Sequence, residues 1–127
     1  MTRPQNTVGF VGNTAVLQCR TNDSESKMSW SRGYVFLETI ASSTRGVYEG
    51  YPRLSLNDST DGQFDLVINS TRSEDANTYT CREGFDHSTS AQLVLLGKCF
   101  VSVCYKVVTY LLYITFYSIW QIRGIHL

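Results

Sequence analysis

Up to Gly97 the chain is filled by short runs in which apolar and polar residues alternate, separated by turn formers. Ala15, Leu17 and Cys19 share one face against Val16, Gln18 and Arg20, and Met28 and Trp30 oppose Lys27, Ser29 and Ser31. Leu54 and Leu56 alternate with Arg53 and Ser55; Phe64, Leu66 and Ile68 alternate with Asp65, Val67 and Asn69. Tyr79 and Cys81 alternate with Thr78, Thr80 and Arg82, and Leu93 and Leu95 with Gln92 and Val94. A period of two is that of a strand with one buried face. Turn residues cluster at 22–24, 57–62 and 84–88, where Asn, Asp, Ser and Gly accept tight backbone geometry. No run before Gly97 keeps a helical period over three turns. Short strands with one apolar face each are stable only when packed sheet on sheet. The pattern predicts an all-β, two-sheet sandwich with Leu17, Leu66 and Ile68 facing inward.

Beyond Gly97 the pattern changes. Residues 99–122 are apolar and aromatic, and a bilayer span needs about 20 such residues. The longest uncharged run, from Val107 to Ile122, is 16 residues. Extending it back to Cys99 encloses Lys106, whose ammonium must snorkel. Lys98 and Lys106 precede the run and only Arg123 follows, opposite to the bias of a protein with its N-terminus outside. On a helix Cys99 and Cys104 point apart and cannot bridge. Two readings of the tail stand: a transmembrane helix over about residues 99–122, or translated intron. For the second, Gly97-Lys98-Cys99 is what GGT-AAG-TGT encodes, one exon base followed by a splice-donor-like sequence. The division expected is a domain over residues 1–97 and a tail over 98–127.

Composition narrows the function. The 127 residues are 43 % hydrophobic and 17 % charged, which fits one folded domain plus a tail and excludes a disordered chain. Lys+Arg and Asp+Glu both number 11, so there is no basic excess for binding nucleic acid. All 11 acidic residues precede Gly97, while Lys98, Lys106 and Arg123 give the tail a purely basic character. Asn22, Asn57 and Asn69 open Asn-x-Ser/Thr sequons and are N-glycosylation candidates. With the cysteines they point to the secretory pathway. Residues 1–6 hold no apolar signal-peptide core, so the chain reads as a fragment lacking a visible signal peptide.

Catalytic chemistry finds few residues. His87 and His126 are the two histidines; in Asp86-His87-Ser88 consecutive side chains diverge, whereas a triad needs them to converge. Asn57, Asp58 and Asp61 lack the spacing and closing glutamate of a calcium loop. Neither a metal-ligand pattern nor a glycine-rich phosphate loop is present. The expectation is a non-enzymatic chain with no cofactor and no metal.

The inward-facing residues form a more specific pattern. Cys19 is followed by Trp30 after 11 residues and by Cys81 after 62, with Tyr79 two before the second cysteine. This arrangement resembles the immunoglobulin superfamily. Asp75, in Asp75-Ala76-Asn77-Thr78-Tyr79-Thr80-Cys81, stands where that family's acid pairs with an arginine opening the D strand, here Arg53. Gly12, seven before Cys19, matches the A′ to B turn, and the matches span residues 8–96.

The resemblance implies a Cys19–Cys81 disulfide linking the sheets, Trp30 packed on it, and the Tyr79 hydroxyl holding a corner. It assigns these residues, with Arg53 and Asp75, to the fold rather than to a ligand. A bridge closing a loop of about 60 residues contributes roughly 4 kcal/mol in the chain-entropy description. The 22 residues between Trp30 and Arg53 leave room for C′ and C″ strands (about 34–40 and 44–49), as in the variable type. Antigen receptors enter the last strand through Phe-Gly-x-Gly, which is missing after Phe85. The resemblance is therefore to outer domains of cell-adhesion molecules and cell-surface receptors.

What it implies is a single-pass cell-surface or extracellular protein that recognises a protein ligand or a second copy of itself. A secreted immune-recognition module and a structural spacer of a larger matrix protein are the alternatives. The partner-binding candidates on the C, C′, F, G face are Tyr34 and Phe36 on the C–C′ hairpin and Phe85 at the FG tip, flanked by Arg32 and Arg82. Aromatic and arginine side chains bury large area with few rotors.

Overall fold

The computed structural model describes residues 2–23, 25–85 and 87–97. Among them nine strands form two sheets: β1 (Thr7–Phe10), β2 (Ala15–Leu17), β3 (Met28–Arg32), β4 (Glu38–Ser42), β5 (Gly46–Val47), β6 (Leu54–Asn57), β7 (Asp65–Ile68), β8 (Asn77–Glu83) and β9 (His87–Leu96). The front sheet runs β1-β9-β8-β3-β4-β5 and the back sheet β2-β7-β6. All pairings are antiparallel except β1 with β9, which is parallel. One 3-10 turn, Ser73–Asp75, precedes β8.

The inward residues of both sheets meet in one core. Leu17, Cys19, Trp30, Leu66, Ile68, Tyr79 and Cys81 are all buried. Burying each large apolar side chain contributes about 1.5–3 kcal/mol. Cys19 and Cys81 are bridged across the sheets with their Cα atoms 6.5 Å apart. Trp30 fills the space beside them, and its indole N–H donates to the Phe64 carbonyl at 2.8 Å, so its polar atom is satisfied inside.

Three features depart from simple alternation. The C′ strand, expected over about 34–40, is β4 at Glu38–Ser42, and the C″ strand, expected over about 44–49, is only β5 at Gly46–Val47. The late start of β4 follows from Gly33, whose φ of 120° ends β3 in a tight turn. A Cβ there would collide with the Phe36 carbonyl oxygen, so residues 34–37 form the turn and leave the sheet. A register shift between Trp30 and Ser31 then lets neighbouring Ile40 and Ala41 both be buried.

Asp65, expected on the outer face of its strand, is 2 % exposed. Its carboxylate accepts the Cys19 backbone N–H at 3.0 Å, Arg20 Nη2 at 3.2 Å and Gln63 Nε2 at 3.0 Å. It replaces a ladder acceptor where β2 loses regular pairing. Among the described residues every buried side-chain nitrogen and oxygen is hydrogen-bonded. No helix among them is long and apolar enough to cross a membrane. The expected span over about 99–122, with Cys99 and Cys104, lies outside the described residues.

Candidate recognition surface

Register and alternation fix which side chains the front sheet presents outward. Across its middle, Thr39, Ser31, Thr80 and Ser90 lie in one row. Ser42, Ser29, Arg82 and Ser88 form the row on one side, and Thr78 with Gln92 the row on the other. The floor is made mostly of short hydroxyl side chains, with Thr80 buried among its neighbours. It is internally bonded, since the Thr80 and Ser90 hydroxyls lie 2.7 Å apart.

Large side chains stand at its two ends. At one end the turn after Gly33 carries Tyr34, Val35, Phe36 and Leu37, exposed by 86, 77, 89 and 53 %. The Gly33 N–H donates to the Thr78 carbonyl at 2.9 Å, which fixes this turn against β8. At the other end Phe85 is 99 % exposed on the loop between β8 and β9. That loop turns at Gly84, whose φ is 61° and whose N–H donates to the Lys27 carbonyl at 2.8 Å. Nearby, the Thr21 hydroxyl donates to the Glu83 carboxylate.

The five partner-binding candidates thus divide into two groups. Arg32 pairs with Tyr79 and Met28 with Glu83, so Arg32, Tyr34 and Phe36 sit at one end while Arg82 and Phe85 sit at the other. Arg82 is exposed on the outer face. Arg32 is engaged internally: its guanidinium lies 5.2 Å from the Tyr51 ring centroid and 3.7 Å from the Glu38 carboxylate. A cation over an aromatic face is held by the ring quadrupole.

Behind Arg32 lies a polar cluster centred on Asp75. Arg53 donates to both carboxylate oxygens of Asp75, at 2.5 and 2.9 Å, and to the Ser70 carbonyl at 3.2 Å. The Arg72 backbone N–H donates to the same carboxylate at 2.7 Å. The Tyr79 hydroxyl donates to the Asp75 carbonyl at 2.6 Å. Burial pushes the Asp75 carboxyl upward, but the Arg53 and Arg72 hydrogen bonds and the charges of Arg53 and Arg32 outweigh it and hold it below the ordinary value. The carboxylate in turn raises Arg53. Burial raises the Tyr79 phenol, and burial together with Glu38 raises that of Tyr51.

A groove of about 430 Å³ beside this cluster is lined by Arg32, Tyr51, Arg53, Arg72, Glu74 and Asp75. Its guanidinium groups face acidic partners already, Arg53 at Asp75 and Arg72 at Glu74, 3.7 Å away. The groove is a set of paired charges. Among the described residues no three His, Cys, Asp or Glu side chains gather as metal ligands. His87 opens β9 opposite Glu83.

Tyr34 and Phe36 are expected from the sequence, whereas Val35 and Leu37 are not, although four apolar residues directly after a glycine already break the strand period. The contacts of Arg32 have no local signal: Glu38 comes beside it only through the β3–β4 pairing, and Tyr51 lies beyond two further strands. The sequons fall on different surroundings. Asn22 is exposed between β2 and β3, Asn57 ends β6, and Asn69 follows β7.

Comparison with known proteins agrees with this geometry. The family model of the immunoglobulin V-set domain matches residues 2–96. An immunoglobulin domain from the structure of Dpr1 IG1 bound to DIP-eta IG1 superposes with a TM-score of 0.66 at 19 % identity, covering 75 % of this chain and 91 % of that one. The RIG-5 IG1 homodimer gives 0.67 at 13 % identity, covering 76 % and 94 %. The Ig1 domain of mouse SynCAM 2 gives 0.63 at 20 % identity, covering 76 % and 95 %. No curated protein sequence matches the chain.

Proposed function

Because the chain belongs to the immunoglobulin V-set family, we propose that it is an extracellular recognition module of a cell-adhesion molecule or receptor. It binds another immunoglobulin domain through the outer face of its front sheet. The observation that carries this reading is the exposed apolar turn at Tyr34, Val35, Phe36 and Leu37, set across a hydroxyl floor from Phe85. A floor of short side chains admits close approach, and aromatic anchors bury the area that drives association. The two ends fit one footprint. The four steps of β3 span about 14 Å, and a standard interface of about 800 Å² per partner is roughly 30 Å across. Among the similar structures, one contains Dpr1 IG1 bound to DIP-eta IG1 and one is a homodimer, so both a second copy and a related domain are candidate partners.

Beads coated with the chain test the homophilic form directly. They are expected to clump, and Tyr34→Ser with Phe36→Ser, or Phe85→Ser alone, is expected to disperse them without changing the circular dichroism. Each anchor is worth about 2 kcal/mol, roughly thirtyfold in Kd. Beads of the parent chain that stay dispersed would direct the search to a foreign immunoglobulin domain. Variants that bind as the parent does would remove the front sheet from the reading.

A further inference from the structure

We infer that Asn57 is the open N-glycan acceptor of the folded domain and that Asn69, whose sequon is also intact in sequence, is closed by the fold. Transfer joins the asparagine Nδ2 to the anomeric carbon of an oligosaccharide carried on a polyprenyl pyrophosphate. The C–N bond forms as the C–O bond to pyrophosphate breaks; the pyrophosphate leaves with that electron pair, and Nδ2 gives up one proton to a base. The reaction needs an accessible nitrogen with its hydrogens free, and a reachable hydroxyl at the third sequon position.

At Asn57 both conditions hold. Residues 57–60 are all exposed at the end of β6, and the Ser59 hydroxyl donates to Asn57 Oδ1 at 3.0 Å. Among the described residues nothing engages Asn57 Nδ2. Asn69 is itself exposed, but neither its amide hydrogens nor the hydroxyl of its sequon is free. Its Nδ2 donates to the Arg53 carbonyl at 3.2 Å and to Ser55 Oγ at 3.3 Å, so both hydrogens are committed across the sheet. Thr71 is 2 % exposed, and its hydroxyl donates to the Phe10 carbonyl at 3.0 Å. The backbone closes the same segment, with Thr71 N–H on the Asn13 carbonyl and the Gly12 N–H on the Thr71 carbonyl. The third sequon includes Ser24, outside the described residues.

The position of Asn57 gives the modification a consequence. β6 is an edge strand of the back sheet, and Asn57 lies on its outer side, since Leu54 and Leu56 turn toward the core. A glycan there covers an unpaired strand edge, a template for unwanted pairing, and leaves the front sheet clear. That consequence rests on the extracellular reading above; the accessibility of the two asparagines does not.

The test gives the full chain, oxidised and folded, to a purified oligosaccharyltransferase with a polyprenyl-pyrophosphate oligosaccharide, and maps glycopeptides by mass spectrometry. On the native chain Asn57 is expected to be modified and Asn69 to stay bare. After reduction and denaturation Asn69 is expected to gain glycan several-fold, and Asn57→Gln to lose only its own glycopeptide. Native transfer to Asn69 as fast as to Asn57, an Asn57 that stays bare, or an Asn69 that stays bare even when unfolded would each overturn the assignment. The assay contains no partner, so its outcome and that of the bead assay fail independently.

Discussion

At one end of β3, Arg32 enters a lattice of side-chain bonds that ties β4, β8, Tyr51 and the Arg53–Asp75 pair together. At the other end, Phe85 stands on a loop backed by one glycine turn, a backbone bond to Lys27 and the Thr21–Glu83 contact. Both ends expose large apolar side chains, yet the mounting differs. Bidentate arginine–carboxylate pairs hold their geometry far better than single bonds at a loop tip. Tyr34 and Phe36 therefore project from a braced base, which lowers the entropy lost when they are ordered against a partner. Phe85 has less behind it. Rigid anchors and adaptable ones are combined on a single face.

The sharpest way to break this contrast is to remove the brace. Asp75→Asn leaves Arg53 without its charge partner in a mostly buried setting and is expected to cost about 3 kcal/mol in urea unfolding. The same variant carries a pH signature. Because the folded Asp75 carboxyl titrates below its unfolded value, its stabilisation is full above the unfolded value. It is lost as pH falls through the folded one. The parent's urea midpoint should drop below about pH 4, and the Asp75→Asn variant should show a shallower drop. Tyr79→Phe comes next, at about 1–2 kcal/mol, because it removes the hydroxyl bond to the Asp75 carbonyl and leaves that buried acceptor unsatisfied. Smallest is Thr21→Val at the opposite end, about 0.5–1 kcal/mol for a partly exposed bond to Glu83 and an exposed one from the Asp23 N–H. If Thr21→Val proved as costly as Asp75→Asn, the two ends would be equally braced and the contrast would fail.

The parts legible in the sequence are those governed by local period. Cys19, Trp30, Leu66, Ile68, Tyr79 and Cys81 alternate with polar neighbours, and all of them are buried. The Arg53–Asp75 pair was legible for another reason, through its place in the family pattern, and its two short bonds agree. What stayed hidden depends on register and distance. Asp65 occupies a polar position of an amphipathic strand, and nothing nearby announces that Cys19, Arg20 and Gln63 will bury and satisfy it. The separation of Arg32 from Arg82 follows only once β3 is paired with β8. The late start of β4 hinges on one glycine angle.

The parallel pairing of β1 with β9 has a consequence in time. Thr7 lies beside Leu93, so among the described residues the earliest strand is seated by the latest. At about 5–20 residues per second of synthesis, β1 emerges from the ribosome several seconds before its partner. Contacts of such long range are also slow to close once available. The order of birth and the order of assembly are thus inverted for these opening residues. A nascent chain halted anywhere before β9 would hold β1 without its strand partner, however complete the core behind it.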